Sequence, residues 1–407
     1  MRKYAILSVL YFAQGLPFGF QATALPLLLR ERGVSLQAIG FAGLLSLPWL
    51  TKALWAPWVD RYGHAGFGRR KSWIVPLQAG LALCALVAGR TERIELLMLL
   101  VFLMNLLAAT QDIAVDALAV SWLEQAELGV GNAIQVVGYK AGMLTGGGLL
   151  VWASAHIGYS GLFDVMAVLM LLVMAVALGV RERPAAAAAS GGEPAVPLRE
   201  VLRQLRAALA RSSALPLLGI VVSYKMGETM ADAMWKPLLF DRGFPAAQIG
   251  LWTGTYGMLF SLFGSFAAGL WVRKHSLLSA LLWTALLRAL GVAAEWWLSL
   301  LGAPGAGQVI AVTCVEHLLG GAITTVMFAL MMRHTEREIG ATHYTLLASL
   351  EVWGKLPFGA LSGFVAQRLG YPTLFGLATL LCALFALAVV GLRARLDLAP
   401  QTARALP

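Results

Sequence analysis

Long apolar runs occupy most of this sequence and constrain its fold more than any other feature. A helix needs about 20 apolar residues to cross the hydrocarbon core of a bilayer, and lipid offers no partners for backbone N–H and C=O groups. Continuous runs near this length therefore form helices rather than the alternating strands of a barrel. We predict an all-α polytopic membrane protein with twelve transmembrane helices. The runs lie near residues 4–29, 38–58, 73–90, 95–122, 132–153, 159–180, 214–239, 247–271, 277–298, 307–332, 342–366 and 371–392.

Composition excludes several other classes of protein. Apolar residues make up 59% of the 407 positions and charged residues 13%, about half the charged share of a soluble domain. The chain is therefore neither a soluble protein nor a disordered one. Cys84, Cys314 and Cys382 all lie in apolar runs, so we expect neither a disulfide framework nor a metal site. No nucleophile–base cluster stands out, so we expect no enzymatic activity and no cofactor.

One connection is much longer than the others. Residues 181–213 begin with a Pro- and Gly-containing stretch and end in LREVLRQLRAALAR. The latter pattern favours either a basic amphipathic helix on the membrane surface or a solvated linker helix. This linker separates an N-terminal half, 1–180, from a C-terminal half, 214–395, and 396–407 form a tail.

The two halves repeat each other. LPLLLRERGVSLQAIGFAG resembles KPLLFDRGFPAAQIGLWTG once one residue of gap is allowed, which aligns Pro26 with Pro237 and Gly33 with Gly243. A second match aligns Lys140 with Glu351. Parallel repeats of six helices are typical of transporters built as two bundles around a central cavity.

The basic residues predict the orientation. With a cytoplasmic N-terminus, the inside segments hold 19 Lys and Arg residues and the outside loops hold 6. Positive charge favours the cytoplasmic side. We therefore expect a multi-pass protein of the inner membrane with both termini in the cytoplasm.

The loop after the second run carries a charged motif, VDRYGHAGFGRRK. It resembles the signature of the major facilitator superfamily, in which such a loop acts as a cytoplasmic gate. Asp60 can cap a helix or pair with an arginine; the alternative is an ordinary basic cytoplasmic loop. The matching positions are Asp60, Arg61, Gly68, Arg69, Arg70 and Lys71.

Four further segments resemble one branch of that superfamily. They are YFAQGLPFGF, LLSLPWLTKALWAPWVDRY, ATQDIAVDALAV and ATHYTLLASLEVWGK, and the branch contains the AmpG muropeptide permeases and the acetyl-coenzyme A transporters. The resemblance implies secondary transport by alternating access. It favours a peptidoglycan fragment as substrate, then a siderophore, then a coenzyme A thioester.

Charged residues inside the runs are costly in lipid and usually face a cavity or a partner. Asp112 and Asp116 lie one helical turn apart, so their repulsion favours a shared proton. The alternative is a salt bridge to a basic residue of the loop motif. The candidates for proton coupling are Asp112, Asp116, Glu228, Asp232 and Glu351.

Several of these charges are spaced for pairing within one helix. Lys225, Glu228, Asp232 and Lys236 share one face, which predicts either a cavity lining or internal ion pairs. Glu351 and Lys355 also lie one turn apart, and an internal pair and a functional site remain equal alternatives.

Lys140 lies deep in the fifth run, where a cation suits a substrate carboxylate or phosphate; a structural bridge to an acid is the alternative. His317 and His343 could carry protons or simply make hydrogen bonds in the core.

We expect an anionic organic substrate, protons and lipid as partners, no nucleic acid, and a monomer. An uncoupled facilitator and a non-transporting receptor remain alternatives. The candidate substrate contacts are Gln14, Gln21, Gln111, Gln135, Tyr139, Lys140, Lys225, Glu316, His317, His343 and Lys355.

Two glycine patterns predict local packing and flexibility. Gly138, Gly142 and Gly146 repeat every four residues, which is typical of close helix contact. The first run contains Pro17 among glycines and glutamines, which predicts a helix that can bend.

Overall fold

A computed structural model describes residues 2–64, 66–123, 127–180, 203, 214–334 and 340–396 of the chain. Within these ranges the chain is helical and contains no strand. The predicted linker helix lies outside the described residues, except for Arg203, and so does the tail beyond residue 396. The side chains of 53, 60, 128–133, 340–345 and 393–396 are also outside them, which includes those of Asp60 and His343.

The helices follow the predicted apolar runs. Those of the first half are α1 (Arg2–Gly19), α2 (Leu25–Glu31), α3 (Leu36–Ala42), α4 (Leu47–Thr51), α5 (Ala56–Arg61), α6 (Lys71–Ala88), α7 (Ile94–Trp122), α8 (Leu128–Leu144) and α9 (Leu150–Leu178). Those of the second half are α10 (Ala214–Ser223), α11 (Met226–Asp241), α12 (Ala246–Ile249), α13 (Met258–Lys274), α14 (Leu277–Leu300), α15 (Ala306–Arg333), α16 (Gly340–Leu369) and α17 (Tyr371–Leu396).

Short irregular helical turns join several of these helices end to end. π-helical turns connect α1 to α2 and α8 to α9, and a third lies between α12 and α13. The first of them follows Pro17, which cannot donate a backbone hydrogen bond inside α1. This irregularity agrees with the predicted softening of the first run.

Among the described residues, eight helical segments are long and apolar enough to cross a membrane. One of them, Ile134–Leu178, covers two predicted runs. The helix is interrupted at Gly158, whose φ of 69° suits a residue without a Cβ. The charged α11 and α16 are not among the eight. The multi-pass helical architecture is thus confirmed, and the count of twelve stays a prediction.

Close glycine contacts hold α8 and the turn that follows it against α1. A Cβ on Gly142 would overlap the carbonyl oxygen of Phe12, and Gly138 and Gly146 approach the backbone of α1 one turn to either side. The predicted role of this glycine repeat in close packing is therefore confirmed.

The described residues form two compact units. One lies within Met1–Val34, Ala42–Gly192 and Leu239–Met258, and the other within Ser35–Phe41, Glu193–Leu238 and Leu259–Pro407. The second unit has a core of buried apolar side chains that includes Ile220, Leu281, Val326 and Phe385. The predicted division at the 181–213 linker stays a prediction.

Candidate functional site

Asp112 of α7 forms an ion pair inside the first unit. Asp112 is 5% exposed, and its carboxylate accepts a hydrogen bond from Lys52 Nζ. Lys52 comes from the irregular segment between α4 and α5, where a 3₁₀ turn interrupts the second run. The partner of Asp112 is therefore a lysine from inside that run.

Asp116 lies one turn after Asp112 and has a different environment. Its Oδ1 accepts hydrogen bonds from Tyr11 Oη at 2.8 Å and from Gln135 Nε2 at 3.1 Å. No described cation lies within 4 Å of this carboxyl. Two neutral donors leave Asp116 with less compensation for a negative charge than Asp112 has.

Three aromatic rings form a wall in the same unit. The rings of Phe18, Trp49 and Tyr139 lie with centroids 6.0, 6.2 and 6.5 Å apart. Lys140 follows Tyr139 directly and is half-buried. Lys52 Nζ lies 5.6 Å from the Trp49 ring centroid, so a cation borders this wall.

A chain of hydrogen bonds fixes the Trp49 ring. Trp49 Nε1 donates to Asn105 Oδ1 at 2.9 Å, and Asn105 Nδ2 donates to Gln21 Oε1 at 2.6 Å. The sequence indicated Gln21 but neither Trp49 nor Asn105. Both sit among apolar neighbours without a charge pattern that would mark them.

Two predicted glutamines are buried without polar partners. Gln14 is 1% exposed and Gln111 is fully buried, and neither amide group has a hydrogen-bond partner among the described residues. Gln78 of α6 shares this condition. Leaving a buried polar group unsatisfied costs about 1–3 kcal/mol. Water or a polar ligand would offset that cost.

Arg288 is the centre of a buried charge cluster in the second unit. Its Nη1 donates to the backbone oxygen of Glu316 at 2.7 Å, and its Nη2 binds the Glu316 carboxylate. Its Nε lies 3.3 Å from Glu228 Oε2. Arg288 is 1% exposed and Glu316 4%. Arg288 thus joins α11, α14 and α15.

The sequence indicated Glu228 and Glu316 as candidates but not Arg288. Its position inside an apolar run was the available signal, because an arginine there requires a partner.

His317 adjoins this cluster through Glu316. Its Nδ1 lies 2.6 Å from Glu316 Oε2 and 3.0 Å from the carbonyl oxygen of Thr313. Both neighbours are acceptors, so Nδ1 carries a hydrogen and donates it. Nε2 is then the ring nitrogen that remains for gaining or losing a proton.

Three of the predicted helical pairs are present as ion pairs. They are Lys225–Glu228 at 3.8 Å, Lys236–Asp232 at 3.9 Å and Lys355–Glu351 at 2.8 Å. Each acid therefore has a cation three or four positions away in the sequence. Asp232 is the most open of them, with a side chain 48% exposed.

Glu295 of α14 is a buried acid that sequence reasoning missed. It is 1% exposed, and its Oε2 has no hydrogen-bond partner among the described residues. It lies seven positions after Arg288 on the same helix, which is about two turns. The sequence shows no charge three or four positions away that would have marked it.

The loop motif binds the end of a neighbouring helix. Lys71 Nζ donates to the Leu178 carbonyl oxygen at 2.7 Å, where α9 ends, and Arg70 Nη1 donates to the Val59 oxygen at 3.2 Å. Cations suit the orphan carbonyls of a helix C-terminus. Gly68 has φ of 108°, which explains a glycine at that position.

Comparison with known proteins identifies relatives over almost the whole chain. The anhydromuropeptide permease of Escherichia coli (strain K12) is 31% identical over 387 residues, which is 92% of this chain and 76% of that protein. A putative transporter AmpG 4 of Rickettsia felis is 26% identical over 84% of each chain. Residues 3–157 match the family described as acetyl-coenzyme A transporter 1.

Solved structures share the fold. The nucleoside transporter NupG superposes with a TM-score of 0.75 at 12% identity, over 95% of this chain and 99% of that one. A bacterial homologue of the human lysosomal transporter Spinster, in an inward-facing and unoccupied conformation, gives a TM-score of 0.70 at 14% identity, over 97% of this chain and 95% of that one.

Proposed function

Because this chain belongs to the AmpG family of permeases within the major facilitator superfamily, we propose that it carries an anhydromuropeptide across the inner membrane, driven by protons. The observation that carries the substrate class is the 31% identity with the anhydromuropeptide permease over 92% of this chain. The aligned stretch includes parts of both units.

Asp116 is our candidate for the carboxyl that carries the coupled proton. The other acids proposed from the sequence each lie within 4 Å of a lysine or arginine. Among the described residues, Asp116 instead receives hydrogen bonds from the neutral donors Tyr11 and Gln135 alone, so its protonated and ionised forms are closer in free energy. A proton relay requires that balance, because the group has to gain and lose its proton in one cycle.

Lys140 is our candidate for the substrate's anionic group. It follows Tyr139, whose ring belongs to the aromatic wall. The ammonium of Lys140 is a suitable group for binding a muropeptide carboxylate, and Gln14 and Gln111 offer amide groups for further hydrogen bonds.

From the distribution of basic residues we infer that both termini and the 181–213 linker face the cytoplasm. We also propose that one chain forms the transport unit. A Ser190→Cys variant in intact cells should react only with thiol reagents that cross the membrane. Reaction with an impermeant reagent would reverse the orientation.

Uptake by cells tests the proposed substrate. Cells that lack their own muropeptide permease and express this chain should accumulate a radiolabelled anhydromuropeptide. The matched control is the Lys140→Ala variant at the same expression level, which should not. Failure of the intact chain to restore uptake, with protein present in the membrane, would refute the assignment.

A coenzyme A thioester is the second candidate substrate. The match of residues 3–157 to the acetyl-coenzyme A transporter family favours it. In membrane vesicles, unlabelled acetyl-coenzyme A should leave anhydromuropeptide uptake unchanged, and so should a siderophore. Inhibition by either compound would make that compound the favoured substrate in place of the anhydromuropeptide.

A further inference from the structure

Glu295 is a deeply buried carboxyl that the proposed transport cycle has not used. Its side chain is 1% exposed, and its Oε2 has no hydrogen-bond partner among the described residues. No described cation lies within 4 Å of it. A carboxylate in that position would lose its hydration with no described ion pair, and with no hydrogen bond at Oε2, to replace it.

Charged groups from three helices act on Glu295, and Cys382 of α17 adds a buried thiol. Glu316 belongs to α15, with His317 bound to it. The other charged groups that act on Glu295 are Arg288 of α14, and Asp232 and Lys236 of α11.

The pairs around Glu295 are already balanced. Three acids face three cations in this cluster. The acids are Glu228, Asp232 and Glu316, and the cations are Lys225, Lys236 and Arg288. The sum of these six charges is zero, and His317 is bound to Glu316 rather than to Glu295, so an ionised Glu295 would have no cation of its own among the described residues. A buried acid under these conditions keeps its proton.

We propose that Glu295 is a second proton-binding carboxyl of the transport cycle, in the unit that does not contain Asp116. It holds a proton in the arrangement described here. It releases that proton when the Arg288 cluster rearranges and a cation becomes available to it. The step is a proton transfer only: the O–H bond of the acid breaks, the proton passes to water, and nothing is oxidised or reduced.

The role of Glu295 in transport rests on the proposed function. The claim that Glu295 binds a proton does not depend on that function. Infrared absorption of the purified full-length protein separates the two, because the carbonyl stretch of a protonated acid is distinct from that of a carboxylate. At neutral pH, Glu295→Gln should remove a protonated-acid signal. Asp164→Asn, which changes an exposed acid paired with Arg90, should leave it intact. An unchanged signal in Glu295→Gln would mean an ionised Glu295 and would overturn the proposal.

Transport measurements then test the role of that proton. In reconstituted vesicles, Glu295→Gln should exchange labelled for unlabelled anhydromuropeptide at a rate within about twofold of the unmodified protein, while moving fewer protons per substrate. An unchanged proton-to-substrate ratio would overturn the proposal, and so would an equal loss of exchange and proton movement, which indicates a structural role. If the unmodified protein transports no anhydromuropeptide, the proposed function fails, and the infrared result still decides whether Glu295 binds a proton.

Discussion

Arg30 and Asp241 form an ion pair with two hydrogen bonds, although 211 positions separate them in the sequence. Arg30 Nε donates to Oδ1 at 2.6 Å, and Nη2 donates to Oδ2 at 2.7 Å. Both residues belong to the repeated segment, between the shared proline and the shared glycine. The first copy is one residue longer there. The repeat is therefore asymmetric where this pair forms.

We expect this pair to stabilise the first unit. Its planar geometry with two bonds is the strong form of an ion pair, and both side chains are about three-quarters buried. Arg30→Ala and Asp241→Ala should each lower the melting temperature, and the double variant should lose little more than either alone. A coupling free energy of about 0.5–2 kcal/mol is expected from this double-mutant cycle. Additive losses would show that the two side chains do not stabilise each other.

A second prediction concerns the contact between α1 and α8. Gly142→Ala should destabilise the protein by about 1–3 kcal/mol, because the added methyl group would overlap the Phe12 carbonyl oxygen. Gly219→Ala is the matched control: it lies in α10 with nothing near its Cβ position, and should be neutral or stabilising by about 0.5–1 kcal/mol. Thermal unfolding in detergent measures both. Equal stability of the two variants would contradict the close approach of α1 and α8.

The two aspartates of α7 should respond differently to loss of charge. In Asp116→Asn the amide oxygen can still accept from Tyr11 and Gln135, so the fold and substrate exchange should persist while uphill uptake is lost. Asp112→Asn instead leaves Lys52 without its carboxylate, and should lower thermal stability. Normal uphill accumulation by Asp116→Asn would remove this residue from the proton pathway.

Lys140→Ala separates an anchoring role from a structural one. If Lys140 binds the anion of the substrate, the variant should fold normally and bind anhydromuropeptide at least about tenfold more weakly, since a charge-assisted hydrogen bond contributes about 1.5–3 kcal/mol. Titration calorimetry and thermal unfolding on the same preparation give both quantities. Reduced stability with normal binding, recovered in Lys140→Ala/Glu351→Gln, would assign Lys140 to the scaffold.

The sequence predicted features that depend on neighbours along one helix. The Glu351–Lys355 pair and the glycine repeat of α8 follow from residues one turn apart, and both are present. Pairs between helices were not predictable in this way. Nothing in the sequence states that Lys52 lies beside Asp112, because that contact depends on which helices pack together and on the 3₁₀ turn at Lys52.

The surroundings of Arg288 and Glu295 could not be predicted from the sequence either. They are the two charged residues of α14 and lie seven positions apart, so neither has an opposite charge one turn away, and the pattern of the helix gave no reason to link them to α11 or α15. Burial and the position of Glu316 reveal their environment. The rule that a charge inside a span needs an explanation would have selected both residues.

Uptake of radiolabelled anhydromuropeptide into vesicles that contain only the purified protein tests the central claim most directly. With a proton gradient as the sole energy source, the label should accumulate above its outside concentration. A protonophore should return it to equilibrium, as should Asp116→Asn. Uptake no greater than that of protein-free vesicles, or uptake that stops at equilibrium with the gradient intact, would contradict proton-driven transport of this substrate.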